Sequence, residues 1–81
     1  MNYVYVLKSL KNGKQYTGVT SKDPQLRLKE HNGGTNSFTR QNRPFQLVYT
    51  ENFEDEQKAR SREKFLKTGQ GRRFIKRVIP P

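Results

Sequence analysis

Two tyrosines near the amino terminus of this 81-residue sequence, Tyr5 and Tyr16, carry side chains that could do chemistry. A phenol can orient a water molecule or remove its proton, although a pKa of about 10 makes it a poor base unless cations lie nearby. The chain supplies such cations in its 17 lysines and arginines. The alternative is that both tyrosines are ordinary strand aromatics that pack a small core.

The spacing of the two tyrosines follows from a hairpin. Asn12-Gly13 is a strong turn signal, and a two-residue turn there places Tyr5 opposite Thr20. Tyr5, Tyr16 and Gly18 then share one face, because side chains alternate along a strand. This pairing separates the tyrosines by roughly 13 Å along the strands. The glycine indicates either a strand bulge or a surface kept bare beneath the phenols.

Arg27 and His31 are four residues apart and project from the same face of a predicted helix. Arginine is well suited to holding a phosphate, because its planar guanidinium can donate two parallel hydrogen bonds. The alternative is that the pair belongs to a solvated helix surface. The pattern makes Arg27 a candidate phosphate ligand and His31 a candidate catalytic residue.

Glu63 lies where an amphipathic helix normally carries a hydrophobic side chain, between the apolar positions Ala59 and Leu66. A carboxylate there is costly unless it is paired or bound to a cation. It could form a salt bridge, or it could bind a hard divalent ion such as Mg²⁺, which often takes only one or two carboxylates. The residues alone favour neither.

These five residues, Tyr5, Tyr16, Arg27, His31 and Glu63, could together cleave phosphodiester bonds. The reaction needs an activated water, a metal that polarises the phosphoryl group, and a cation near the charge of the transition state. The tyrosines, Glu63 and Arg27 can meet these three needs in turn. We predict that all five converge on one concave surface that solvent can reach.

The net charge of +10 predicts a polyanionic partner, and nucleic acid is the first candidate. A membrane-surface peptide is disfavoured, because no broad apolar face opposes the basic residues. The absence of cysteine excludes disulfides and thiolate zinc sites, and it fits a cytoplasmic or otherwise intracellular protein. No apolar stretch reaches membrane-spanning length. The basic residues predicted to bind nucleic acid are Arg40, Arg43, Lys67, Arg72, Arg73, Lys76 and Arg77.

The secondary-structure elements that must position these side chains are predicted from residue patterns, helix caps and the positions of glycine and proline. Strands are predicted at 3–9, 15–20 and 45–50, and a helix begins at Asp23-Pro24 and ends at Gly33-Gly34. The stretch TNSFTRQNR is predicted to be a polar loop. A second helix at 54–67 is broken by Gly69 and Gly71, before a short basic helix at 72–79. The order β-β-α-β-α-α predicts one α/β domain over residues 1–81, with a three-stranded sheet flanked by helices.

The motifs YVY at 3–5, YTG at 16–18, RLKEHN at 27–32 and SREKFLK at 61–67 occur in the order and spacing of the GIY-YIG nuclease superfamily. The chain resembles its small stand-alone bacterial members, which are similar to the N-terminal nuclease domain of the excision-repair protein UvrC. HNGG is also similar to a stretch of a eukaryotic nuclease that cuts branched DNA. The resemblance implies a GIY-YIG-like fold and an endonuclease that acts on DNA, including branched or single-stranded DNA, in repair or processing.

The resemblance also implies roles for the site residues. Tyr5 or Tyr16 would handle the attacking water, Arg27 would stabilise the phosphate, and Glu63 would bind Mg²⁺ or Mn²⁺. Many members carry an asparagine after this glutamate, whereas this chain has no asparagine beyond Asn52. Lys67 is a candidate to replace it. The rival interpretation is a nucleic-acid-binding module that keeps the fold without useful catalysis.

Overall fold

The computed structural model of the protein describes residues 1–34 and 36–79. In chain order its elements are β1 (Asn2–Ser9), β2 (Gln15–Thr20), α1 (Pro24–Asn32), α2 (Ser37–Asn42), β3 (Phe45–Phe53), α3 (Glu56–Leu66) and α4 (Gly69–Val78). The predicted α/β class with a three-stranded sheet is confirmed. The domain predicted over 1–81 includes Thr35, Pro80 and Pro81, which lie outside the described residues.

The first strand is the centre of the sheet. The strand order is β2-β1-β3, and β1 is antiparallel to both neighbours. Four consecutive residues of β1, from Val4 to Leu7, are almost completely buried. Because helices cover both faces of the sheet, both alternating sets of side chains become core, which explains the uninterrupted apolar run.

The turn between β1 and β2 differs from the prediction. Tyr5 pairs with Gly18 and not with Thr20, so the register is shifted by two residues. The loop is longer than a two-residue turn, because the Ser9 hydroxyl accepts hydrogen bonds from the backbone N–H groups of Lys11 and Asn12. A shift of two preserves the face of every side chain, so the shared face of Tyr5, Tyr16 and Gly18 is confirmed.

Each face of the sheet carries its own hydrophobic cluster. Val4 and Val6 pack with the buried side chains of Ala59 and Leu66 from α3 and Ile75 from α4. On the opposite face the cluster consists of Tyr5, Leu7 and Phe45, against which Tyr16, Leu28, Phe38 and Leu47 pack. The second cluster is rich in aromatic rings and includes both Tyr5 and Tyr16.

Helix α1 begins and ends close to the prediction. The Asp23 carboxylate accepts a hydrogen bond from the Gln25 backbone N–H, Pro24 takes the first helical position, and Gly33 follows the last turn. The predicted polar loop after it is wrong in part, because Ser37–Asn42 forms helix α2. Asn36 and Thr39 form a reciprocal capping box at its start, a signal that outweighs the low helix propensity of the segment.

The third strand is three residues longer than predicted, and α3 is shorter, because Asp55 caps it. Gly69 and Gly71 do not break a helix but begin α4, whose cap is Thr68. A side chain at position 71 would collide with the backbone of Phe65 and Leu66. Glycine is therefore used there for the close approach of α4 to the end of α3.

Candidate active site

Gly18 is the bare surface beneath a phenol ring. It lies directly across from Tyr5 in the β1–β2 ladder. A Cβ atom added at Gly18 would lie 2.5 Å from the Tyr5 hydroxyl oxygen and 2.7 Å from the ring carbon that carries it. The Tyr5 ring therefore lies across the glycine, where no larger residue fits. This contact buries Tyr5, which is 1% exposed.

The second tyrosine lies beside the first, and His31 of α1 touches both. The ring centroids of Tyr5 and Tyr16 are 6.3 Å apart, and those of Tyr16 and His31 are 4.7 Å apart. The predicted separation along the strands is therefore wrong, because the shifted register places Tyr16 only two residues from the partner of Tyr5. The three rings form one cluster at the β1–β2–α1 junction.

The buried Tyr5 hydroxyl is 2.9 Å from Nε2 of His31, which is itself fully buried. Nη2 of Arg27 lies 3.4 Å from the same nitrogen. Because arginine only donates, this neighbour favours a tautomer in which Nε2 accepts from both groups and Nδ1 carries the proton. Within the described part of the chain, Nδ1 is buried without a hydrogen-bond partner.

Burial sets the charge states of this pair. It raises the pKa of Tyr5 above its usual value, and a hydrogen bond from Arg27 opposes the rise. Burial lowers the pKa of His31, and the positive charge of Arg27 lowers it further. Tyr5 therefore stays protonated and His31 neutral at pH 7. The Tyr5 hydroxyl is then the donor to His31.

The Arg27 guanidinium is held from its own helix. Its Nη1 donates to the Glu30 carboxylate at 2.7 Å, which leaves other N–H groups for the site. Arg27 also lines a small cleft, together with Lys22 before α1 and Arg60 on α3. The sequence interpretation missed Glu30 and Arg60, although Glu30 stands at the i+3 position from Arg27, a spacing that brings helix side chains together.

Glu63 belongs to a charged stripe on one flank of α3. Arg60, Glu63 and Lys67 are spaced three and four residues apart, so they lie on the same flank. The Glu63 side chain is 23% exposed, and its carboxylate is 3.4 Å from the ammonium of Lys67. Burial is the main cause of the raised pKa of Tyr5, and the negative charge of Glu63 makes a smaller contribution in the same direction. The inward position predicted for it is correct only in part, because the side chain lies at the margin of the core.

A groove on this side of the molecule, the Tyr16 groove, connects the cluster to solvent. It has a volume of about 330 Å³, and its lining includes Tyr16, Phe38, Lys67 and Arg72. Tyr16 is only partly buried, whereas Tyr5 and His31 are enclosed. Of the two tyrosines, Tyr16 is thus the one that a bound molecule can reach.

The donor set fits a magnesium-type ion more closely than a zinc ion. No group of three or more His, Cys, Asp or Glu side chains that could hold a metal occurs among residues 1–34 and 36–79. Mg²⁺ keeps several of its waters and often binds one or two carboxylates together with substrate phosphates. Glu63 can supply that carboxylate once it separates from Lys67.

The basic residues predicted to bind nucleic acid fall into three groups. Lys67 and Arg72 line the Tyr16 groove. Arg40 and Arg43 are exposed near Gly34, after α1. The remaining three, Arg73, Lys76 and Arg77, line a separate groove between α3 and α4. The structure therefore does not bring all seven cations to the ring cluster.

Comparison with known proteins supplies the context for this geometry. The family description "GIY-YIG catalytic domain" matches residues 1–75. A UPF0213 protein of Clostridium perfringens is 46% identical over 68 residues, which are 83% of this chain and 71% of that protein. One from Staphylococcus saprophyticus is 37% identical over 78 residues, covering 95% of this chain and 93% of the relative.

A solved structure is similar as well. The solution NMR structure of a UPF0213 protein from Bacillus halodurans has a TM-score of 0.55 and 35% sequence identity, and the match covers 93% of this chain and 82% of that one. Among the described helices of this chain, none is long and apolar enough to cross a membrane.

Proposed function

This chain belongs to the family of GIY-YIG catalytic domains, and from that premise we propose that it is an endonuclease that hydrolyses phosphodiester bonds in DNA with Mg²⁺ or Mn²⁺. Family membership places it among nucleases, while the substrate, the metal and the activity itself are our inference. A role in DNA repair or processing, in the cytoplasm, is part of the proposal.

The observation that carries the proposal is the arrangement of Tyr16 and Arg27 around a buried Tyr5–His31 pair. The pair contacts both neighbours, since Tyr16 packs on His31 and Arg27 lies against Nε2. Such rigid support matters for catalysis, because reacting groups must be held in place before the reaction starts. Tyr5 and His31 are thus positioning residues in this proposal, and the partly exposed Tyr16, Arg27 and Glu63 would face the substrate.

Tyr16 is the phenol we assign to the attacking water, because it borders the groove. Tyr5 is a poor candidate, since burial keeps it protonated. Arg27 would hold a nonbridging phosphate oxygen with the N–H groups that Glu30 leaves free. Its guanidinium stays charged throughout, so it can stabilise the extra negative charge of the transition state.

Glu63 would hold the metal ion. When bound, Mg²⁺ or Mn²⁺ polarises the phosphoryl group and stabilises the oxygen that leaves. Lys67, which pairs with this carboxylate and lines the Tyr16 groove, would be free to face a substrate phosphate once Glu63 held the ion. We assign it the supporting role that an asparagine fills in many members of the family.

Cleavage assays on single-stranded, duplex, flap and branched DNA, with and without Mg²⁺ or Mn²⁺, test the proposal. Glu63→Gln keeps the size of the side chain but removes its charge. Metal affinity and cleavage should then collapse, while DNA binding stays equal or tightens. Lys29→Gln, an exposed change on α1 away from the groove, is the control and should cut like the wild type.

The rival proposal, a binding module without useful catalysis, makes a different prediction for the same assays. It predicts DNA binding that falls with salt and no metal-dependent product on any substrate. A Glu63→Gln protein that cuts at the wild-type rate, but melts well below the wild type, would contradict the metal-ligand role. It would assign Glu63 to a structural salt bridge with Lys67.

A further inference from the structure

A second groove lies between α3 and α4, away from the ring cluster. This α3–α4 groove has a volume of about 810 Å³, and its lining includes Arg62, Phe65, Arg73, Phe74, Lys76 and Arg77. Successive helix residues are rotated by about 100°. Arg62 and Phe65 therefore lie on the flank of α3 opposite Glu63, with the buried stripe of Ala59 and Leu66 between the two flanks.

Two phenylalanines and one arginine form an ordered platform along the groove. The Arg62 guanidinium carbon lies 5.0 Å from the centroid of the Phe65 ring and 4.9 Å from that of Phe74. Two hydrogen bonds to the Glu51 carboxylate, at 2.9 and 3.0 Å, fix the guanidinium in that place. The rings of Tyr49 and Phe74 form a T-shaped pair with centroids 6.0 Å apart. The two phenylalanine rings are thus held in position, although both remain only partly buried.

The charge of the groove has a single sign. Arg73, Lys76 and Arg77 are exposed, and none of the groove-lining side chains in the described ranges is acidic. The Glu51 carboxylate is already paired with Arg62. An occupant that satisfies this lining must carry several negative charges and flat apolar surfaces at once.

We propose that the α3–α4 groove binds an unpaired stretch of a DNA strand, with a base stacked on the Phe65–Phe74 platform and phosphates on Arg73, Lys76 and Arg77. Proteins that bind single strands combine a basic groove with aromatic side chains in this way. A duplex offers the phosphates but keeps its bases stacked on one another. This inference rests on the proposed function, and it narrows the substrate to DNA with a single-stranded segment.

Helix α4 connects this groove to the Tyr16 groove. Arg72 lines the Tyr16 groove, whereas its neighbour Arg73 lines the α3–α4 groove. One strand that follows the cations of α4 can therefore pass from the platform to the catalytic residues. The unpaired nucleotides would then lie beside the bond that is cut.

Binding in EDTA, which prevents cleavage, tests the groove by itself. A single-stranded oligonucleotide, a duplex of the same sequence and a flap are titrated at several salt concentrations. The double variant Arg73→Gln/Arg77→Gln should lower the slope of log K against log salt by about 1.4 on the single strand. The matched control Lys11→Gln/Lys29→Gln removes two exposed charges elsewhere and should leave the slope unchanged.

Stacking has its own readouts. Photo-crosslinking with 5-iodouracil in the single strand should attach DNA to the peptides that contain Phe65 or Phe74. Phe65→Leu should weaken single-strand binding by roughly 5- to 150-fold, and duplex binding far less. If that variant does not fold, the Arg73→Gln/Arg77→Gln protein and the crosslinked peptides still test whether the groove binds the single strand, because Arg73 and Arg77 are exposed.

The outcomes separate this inference from the proposed nuclease activity. Two results would contradict single-strand binding in the α3–α4 groove without contradicting the proposed nuclease activity. One is crosslinks confined to Tyr16 and its neighbours, and the other is equal loss of single-strand and duplex binding in Phe65→Leu. Crosslinks at Phe65 or Phe74 in a protein that cuts no DNA would support single-strand binding in the groove and contradict the proposed nuclease activity. Binding to anionic phosphatidylglycerol vesicles, with no binding to the single strand, would also contradict the proposal that the groove binds DNA.

Discussion

Two polar clusters on opposite faces of the sheet use nearly the same side chains. One contains Tyr5, His31 and Arg27 on the face covered by α1. The other contains Tyr49, Glu51 and Arg62 on the face covered by α3 and α4. Each joins a partly or fully buried phenol to an arginine, and in each the pKa of the phenol is raised, first of all by burial.

The clusters differ in whether their hydrogen bonds are complete. Glu51 accepts from the Tyr49 hydroxyl and from two nitrogens of Arg62, so the acid, the phenol and the arginine satisfy one another. In the other cluster Glu30 pairs with Arg27 and Lys22, whereas the phenol is bonded to His31, which keeps a buried nitrogen without a partner among the described residues. A network whose hydrogen bonds are all satisfied stabilises the folded state. A network with an unpaired buried group is more typical of a site for binding or catalysis.

Removal of the Tyr16 hydroxyl should have the largest effect on cleavage. It tests only the incomplete cluster, which is the Tyr5, His31 and Arg27 group on which Tyr16 packs. We expect Tyr16→Phe to reduce cleavage by about 10² to 10⁴, the usual contribution of a positioned acid or base. Stability should change little, because the ring still packs on His31 and Phe38. Single-turnover cleavage and a thermal melt measure the two effects. Wild-type cleavage by Tyr16→Phe would contradict the assignment of the attacking water to this phenol.

Disruption of the closed cluster should affect stability and not chemistry. Glu51→Gln removes the charge that Arg62 needs, while Arg62 stays partly buried over two rings. We expect a loss of about 2 kcal/mol, less than for a fully buried pair because both side chains are partly exposed. For a chain of this size that loss lowers the melting temperature by roughly 8 to 16 °C.

The rate of cleavage by the folded protein is the control for Glu51→Gln. It should remain that of the wild type at a temperature well below the melt. A variant that melts normally but cuts poorly would show that the closed cluster takes part in catalysis. The distinction between the two clusters would then fail.

The sequence could predict one cluster and not the other for a geometric reason. The shared face of Tyr5, Tyr16 and Gly18 depends only on the period of two along a strand, and it survived an error of two residues in the register. The α1 pair, Arg27 and His31, depends only on the helical repeat. Local periodicity is therefore enough to bring these residues together.

The closed cluster depends on long-range geometry. Glu51 meets Arg62 only because β3 continues beyond its predicted end and because α3 packs at a particular rotation on the sheet. Neither property is contained in a local pattern. For the same reason the sequence indicated basic residues on α4 but could not divide them between two grooves. Helix α2 was missed because its signal is a cap between two polar residues and not an apolar repeat.

The smallest effect we expect is a dependence of stability on pH that comes from the incomplete cluster alone. His31 is the only histidine in the chain, and burial lowers its pKa in the folded state. The closed cluster has no group that titrates between pH 5.5 and 7.5. Burial acts to raise the pKa of Glu51, but the hydrogen bonds from Arg62 and Tyr49 and the charge of Arg62 hold it below its usual value, and burial raises the pKa of Tyr49.

The sign follows from proton binding. As the pH falls through about 6.5, unfolded His31 binds a proton while the folded residue does not, so the free energy of unfolding decreases. One proton limits the slope to about 1.4 kcal/mol per pH unit. Urea unfolding at pH 7.5 and 5.5 measures the change, and the His31 Cε1–H resonance reports the folded pKa directly. His31→Gln should flatten the dependence. A wild type as stable at pH 5.5 as at pH 7.5 would contradict the neutral, buried imidazole beneath the proposed site.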